Sequence, residues 1–198
     1  MKPSPELKLD ATALADQAVA FEFKGYLRAT LLARRATPLG MGFGKTRFAS
    51  PDDGFKVLYA AESLATSVAE TLVRDRFEGR KRRRLQQAEV ETWGVTELST
   101  SAPLTLIDIR TTGLTRLGVS TDAAGAKSHR QGRRLSKAVY EQSDADGILY
   151  VSRLTRVVCC ALYDRAATKL VATPVVEIVT LSDLVPALTS LNVKLVGP

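Results

Sequence analysis

The sequence predicts a single α+β domain of five to seven strands, with helices packed on them and one long glycine-rich loop. Three observations carry this reading. Short apolar runs at 56–60, 147–151 and 157–163 have the length and the Val/Ile/Tyr content of buried strands. Residues 63–77 instead repeat their apolar side chains at helical spacing. Neither a repeat nor a low-complexity stretch nor a linker divides the 198 residues, so one domain spanning 1–198 is expected.

In chain order, residues 10–21 suggest a first helix, with Asp10 as N-cap and a stripe of Leu14, Ala15, Ala18 and Phe21. Residues 21–30 read as extended, broken at Gly25. Between 36 and 54, Pro38, Gly40, Gly42, Gly44, Pro51 and Gly54 mark a loop long enough to suggest function. In 63–77, Leu64, Ala65, Val68, Ala69, Leu72 and Val73 build one apolar face. Glu70 lies about 150° from the centre of that face, towards solvent or a cleft. Residues 89–95 and 104–109 look like strands, 113–126 like a loop and 135–142 like a helix. The apolar run 170–181 is confined by Pro174 to an edge or a break. Asp183 is placed to cap a last helix ending at Leu191.

Counting excludes several chemistries. The chain has one histidine, His129, and two adjacent cysteines, Cys159 and Cys160. A tetrahedral zinc site cannot be assembled from them, and no metal is expected. A Ser-His-Asp or Cys-His enzyme would rest on His129 alone, which sits in a basic stretch and reads as a partly solvated loop residue. On a strand the two thiols point to opposite faces, which suits buried free cysteines of a cytoplasmic protein rather than a disulfide. Residues 1–6 lack the apolar stretch of a secretory leader, and no run is long enough to span a membrane.

The net charge is +7, from 28 basic and 21 acidic residues. Ten of the cations fall in two acid-free stretches, 80–84 and 127–137, so the rest of the chain is net negative. Two local patches, either solvated or set against an anionic partner, replace the general basic coat of a nucleic-acid binder. The stretch from Gly40 to Thr46 imitates a phosphate-binding loop but carries Leu39 where that motif needs glycine, and Pro51 and Gly54 prevent the helix that should follow.

Five short motifs in order point elsewhere. Arg28 closes Tyr26-Leu27-Arg28. Thr46-Arg47-Phe48-Ala49-Ser50-Pro51 forms an Arg-aromatic turn. Tyr59 ends an apolar strand, and Glu70 follows it by eleven residues. Asp146-Gly147-Ile148-Leu149-Tyr150-Val151-Ser152 then leads into Cys159-Cys160-Ala161-Leu162-Tyr163-Asp164. Over about residues 24–165 this order resembles the RES domain, the toxin half of a bacterial toxin–antitoxin system. Two positions depart from the family's pattern: Thr46 stands where it has glycine and Ala49 where it has asparagine. A functional Ser that some relatives carry would fall between Ser128 and Ser136.

The resemblance implies an ADP-ribosyltransferase-like mixed sheet and the consumption of NAD, with ADP-ribose passed to phosphate, water or a protein. Nicotinamide leaves as a neutral molecule and needs no acid, which suits a chain with one histidine. By resemblance, Glu70 stabilises the developing sugar cation. Arg28 and Arg47 offer forks to the diphosphate, Tyr59 stacks on nicotinamide or ribose, and Ser152 hydrogen-bonds one of them. Arg28, Glu70 and Ser152 are the expected catalytic set. These three, with Arg47 and Tyr59, are expected to bind NAD. A cognate antitoxin blocking the cleft is implied as partner, homodimerisation is compatible, and direct nucleic-acid or membrane binding is not expected. Each residue also has a plainer reading: a surface cation for Arg28, a loop fastener for Arg47, a core ring for Tyr59, an exposed pair with Arg74 for Glu70, a strand end for Ser152. The competing functions are mono-ADP-ribosylation of a cellular protein, a nucleic-acid-binding module built on the basic patches, and a binding subunit that has lost activity.

Overall fold

The computed structural model describes residues 6–197; the leader reading above falls largely on 1–5, outside them. Its strands are β1 (Ala18–Phe21), β2 (Tyr26–Leu31), β3 (Val57–Ala61), β4 (Arg84–Gln86), β5 (Trp93–Thr100), β6 (Leu104–Asp108), β7 (Gly147–Val151), β8 (Val158–Tyr163), β9 (Leu170–Ala172), β10 (Val176–Glu177) and β11 (Lys194–Val196). The α-helices are α1 (Ala11–Asp16), α2 (Leu64–Val68), α3 (Gln87–Val90), α4 (Gly113–Arg116), α5 (Asp122–Gly125), α6 (Arg130–Gln142) and α7 (Leu184–Ser190).

Nine strands form one mixed sheet in the order β1-β6-β7-β8-β3-β2-β5-β10, with β9 also on β5. Only β6 and β7 run parallel within it. Parallel neighbours need a crossover, and α4, α5 and α6 supply it. A second, two-stranded parallel sheet joins β4 to β11.

The alternation of a strand explains how β7 and β8 can be apolar throughout. Ile148, Tyr150, Cys159, Ala161 and Tyr163 face a core completed by Phe48, Phe55, Leu135 and Val139. Leu149, Cys160 and Leu162 face the opposite way, onto Leu58, Leu98, Leu104 and Phe23. That second core is made largely of strand residues, so the sheet curls over its own face. The adjacent cysteines are free and buried, one in each core. A third cluster packs Leu64, Val68, Leu72 and Val73 against Val95, Ile178, Leu184 and Leu188, which consumes the apolar face expected of 63–77.

Several expectations need correction. Eleven strands stand among the described residues, not five to seven, because β4, β9, β10 and β11 are three residues or fewer. Such pieces are too short to show a period of two. Asp10 does cap the first helix through the Ala13 amide at 2.8 Å, but that helix ends at Asp16 and residues 18–21 pair with β6. Residues 87–90 are helical before β5 begins, and the expected loop 113–126 holds two single-turn helices. The 170–181 run is broken around Pro174, between β9 and β10. Asp183 occupies the N-cap of α7 without a side-chain capping bond.

Candidate active site

The site begins where the sheet opens. β2 pairs with β5 along its whole length but touches β3 at one position only, Leu27 opposite Ala61. Beyond it, the Ala29 amide donates to Ser67 Oγ of α2 at 2.8 Å. A side chain thus satisfies a backbone donor that a strand would otherwise take, and the two strands splay apart.

The helix that supplies Ser67 then changes pitch. Ser63 caps α2, but residues Ala69–Val73 form a π-helical turn, closed by the Arg74 amide donating to the Ala69 carbonyl at 2.7 Å. Arg74 ends it at φ 39°, in the left-handed region that a residue with a side chain occupies at a cost. The continuous helix expected over 63–77 is therefore α-helical only over Leu64–Val68 and ends after the π turn at Val73. Glu70 sits in this turn, on the side away from the buried Leu72 and Val73. No Glu70–Arg74 ion pair forms among the described residues, because the wider turn destroys the i, i+4 spacing.

Glu70 and Ser152 meet at the floor. Ser152 closes β7, is fully buried, and its Oγ donates to Glu70 Oε1 at 2.6 Å. The same oxygen accepts the amides of Leu154 and Thr155 at 3.1 and 3.3 Å. With both lone pairs engaged by N–H groups, the hydroxyl proton has one destination, and the short O–H···O⁻ bond is of the charge-assisted kind. Ser152 stands behind the carboxylate and does not line the cavity, so the geometry makes it a support for Glu70 rather than a group that touches a ligand.

The cavity has a volume of about 350 Å³. Arg28, Arg47, Tyr59 and Glu70 line it, joined by Arg34, Arg74, Asp75, Tyr150 and Arg153, which the sequence reading had missed. The turn holding Arg47 is fastened from both sides. Tyr59 Oη accepts the Phe48 amide at 2.9 Å and bonds Thr46 Oγ1 at 2.8 Å; burial pushes the phenol up to about 12. From α6, Ser136 Oγ donates to the Phe48 carbonyl at 2.6 Å, and Arg133 donates to the carbonyls of Ala49 and Ser50. Gly132 permits this approach: a Cβ there would stand 2.6 Å from the Arg47 carbonyl oxygen. Ser136 is thus a buried fastener of the turn. His129 is, as expected, a partly solvated residue outside regular structure, at the N-cap position of α6. Its Nδ1 lies 2.9 Å from the Lys45 carbonyl, so the proton sits there, and its ring lines the cavity edge.

Electrostatically the cavity seeks an anion. Five arginines line it against two carboxylates, and Asp75 is already paired with Arg153. Arg47 Nη1 is buried and has no hydrogen-bond partner. Leaving a charged donor so is costly, and burial followed by the Arg153 charge pushes its pKa down while Glu70 pulls it up. Arg28 is differently placed: its fork donates to the carbonyls of Pro38 and Gly40 at 2.8 and 2.5 Å, holding the glycine-rich loop. Burial lowers it to about 10. A larger cavity, of about 520 Å³, lies along the outer face of α6. It contains neither Glu70 nor Arg47, and its Lys137 is tied to Asp52 and Glu141. Among the described residues no cluster of His, Cys, Asp and Glu could hold a metal ion, and no helix is long and apolar enough to cross a membrane.

Comparison with known proteins bears on the family and the fold. The family model of the RES domain matches residues 26–183. A curated relative, "Probable toxin y4kH" of Sinorhizobium fredii, is 39% identical over 84 residues, which cover 42% of this chain and 66% of the relative. The fold is similar to that in the crystal structure of the M. tuberculosis MbcT-MbcA toxin-antitoxin complex, with a TM-score of 0.63 at 15% identity, covering 84% of this chain and 90% of that one.

Proposed function

The chain belongs to the RES domain family, and from that premise we propose that it is the toxin of a toxin–antitoxin pair and that it consumes NAD. The carrying observation is that one cavity holds an oriented carboxylate, Glu70, and a guanidinium, Arg47, whose buried Nη1 has no partner. Cleavage of the nicotinamide–ribose bond sends its electron pair to the pyridinium nitrogen and leaves a sugar cation. A carboxylate held by Ser152, with its second oxygen unengaged among the described residues, supports such a cation. Arg47 supplies donors for the diphosphate, and Tyr59 with Tyr150 supplies aromatic wall for the nucleoside. Arg28 acts by holding the loop edge, and Ser152 by holding Glu70.

The surplus of positive charge favours inorganic phosphate over water as the acceptor of ADP-ribose. Five arginines exceed what one diphosphate and two carboxylates balance, and a phosphate oxygen attacking the sugar carbon would enter as an anion. The likeness of the fold to a toxin–antitoxin complex supports a cognate antitoxin that blocks this cleft. The test is to supply NAD with and without phosphate and to separate the products. ADP-ribose 1″-phosphate formed in proportion to phosphate is the expected result. Free ADP-ribose in both arms would instead mean hydrolysis, a labelled protein would mean transferase activity, and unchanged NAD in every arm would contradict the proposal.

A further inference from the structure

The run 80–84 is left unexplained by the cleft chemistry. Arg80, Lys81, Arg82, Arg83 and Arg84 are all exposed, and none has a side-chain hydrogen bond or ion pair among the described residues. The parallel pairing of β4 with β11 sets Lys194, also exposed, opposite Arg84. Lys194 thus joins the five exposed cations of the run, and the six together are termed the ledge. Three acids of the neighbouring segments are committed elsewhere, Asp75 to Arg153, Glu78 to Lys127 and Glu89 to Arg76, while Glu91 is held by Gln87. Like charges held this close repel, and no ion pair among the described residues offsets them.

The ledge also connects with the cleft. A groove of about 470 Å³ is lined by Arg83, Asn192 and Glu78, the last already paired with Lys127, together with Arg74, Asp75, Arg153 and Leu154. Those last four residues line the nucleotide cavity too. We propose that the ledge is a docking surface for an acidic segment of a partner protein, and that the groove leads this segment to the mouth of the cleft. The claim about the cleft rests on the NAD reading above; the claim about the ledge does not. A protein segment is favoured over nucleic acid because the groove shares four lining residues with the cavity and itself carries two acids, Asp75 and Glu78, whereas a duplex needs a broad basic face.

The test uses the full chain and a fluorescent deca-glutamate peptide. Anisotropy should show binding that weakens with salt and falls about tenfold or more in a variant carrying R80Q, K81Q, R82Q, R83Q and R84Q. A milder R80Q/R82Q variant should lie between the two. The same peptide should raise the apparent KM for NAD in the wild type but not in the five-substituted variant. Binding indifferent to the substitutions would overturn the ledge. Tighter binding of duplex DNA through the same residues would replace the protein partner by nucleic acid. Peptide that binds at the ledge yet leaves the KM unchanged would overturn the route into the cleft. A chain that does not consume NAD would still report on the ledge through anisotropy, so the two readings fail separately.

Discussion

Ser152 Oγ donates its proton to Glu70 Oε1 at 2.6 Å across 82 residues of sequence, while two backbone amides occupy its lone pairs. The hydroxyl has no freedom to turn, so neither has the carboxylate it holds. Ser152→Ala removes one charge-assisted bond and strands two amides. The expected loss is about 1.5–3 kcal/mol of transition-state support, a fall in kcat of roughly ten- to a hundredfold. Because Ser152 does not line the cavity, the KM for NAD should change little. Steady-state kinetics checks this, and a KM effect without a kcat effect would return Ser152 to a direct ligand contact.

Arg47→Lys keeps the charge and loses the planar fork. The buried, partnerless Nη1 of Arg47 is the donor assigned to the diphosphate, so the KM for NAD should rise roughly tenfold or more with kcat less affected. In the absence of nucleotide, an Arg47→Met variant should be slightly more stable to heat, since it no longer buries an unsatisfied donor. Calorimetry with and without NAD separates the two effects.

Gly132→Ala introduces a Cβ that would stand 2.6 Å from the backbone oxygens of Ala123 and Arg47. Overpacking of this kind costs about 1–3 kcal/mol, against a gain of about 1 kcal/mol in helix propensity. The expected outcome is a lower Tm together with weaker NAD binding, because α6 and the Arg47 turn must separate. A raised Tm would show that α6 does not hold the turn.

Cys159 is buried, and burial pushes its thiol up from 9.0 to about 12; burial also raises that of Cys160. The folded protein at pH 8 therefore exposes about one thiolate in ten thousand at Cys159. Alkylating reagents should leave both cysteines untouched in the native state and modify both after unfolding, as read by mass spectrometry. The linked effect on stability has a definite sign. Both states hold neutral thiols below the unfolded value of 9.0, and stability is lost as pH rises from there towards about 12.

Much of the candidate site was legible in the sequence because its residues fall in short motifs whose order resembles the family's, although Tyr59 stands in the middle of its strand rather than at the end. Arg28 lies on β2 and Tyr59 on β3, while Glu70 stands opposite an apolar face that does pack inward. Periodicity did not reveal the π-helical turn, whose residues continue the helical pattern while their hydrogen bonds shift by one. Arg74 and Arg153 escaped notice for a related reason: a cation beside a motif is usually solvated, and only the splay of β2 from β3 brings these to one cavity. The Thr46 departure also reads differently in the structure, as a hydroxyl bonded to Tyr59. Asp146 and Gly147, read as part of a functional motif, are architectural. Asp146 accepts the Thr105 amide and pairs with Lys169, and Gly147 leaves no room for a Cβ beside Ala161.

The most direct test of the proposed chemistry compares nicotinamide release from NAD by the wild type and by Glu70→Gln, an isosteric change that removes the charge. Circular dichroism should show both folded. The account predicts that the variant still binds NAD and releases nicotinamide at least about a hundredfold more slowly. Equal rates in the two proteins would contradict it.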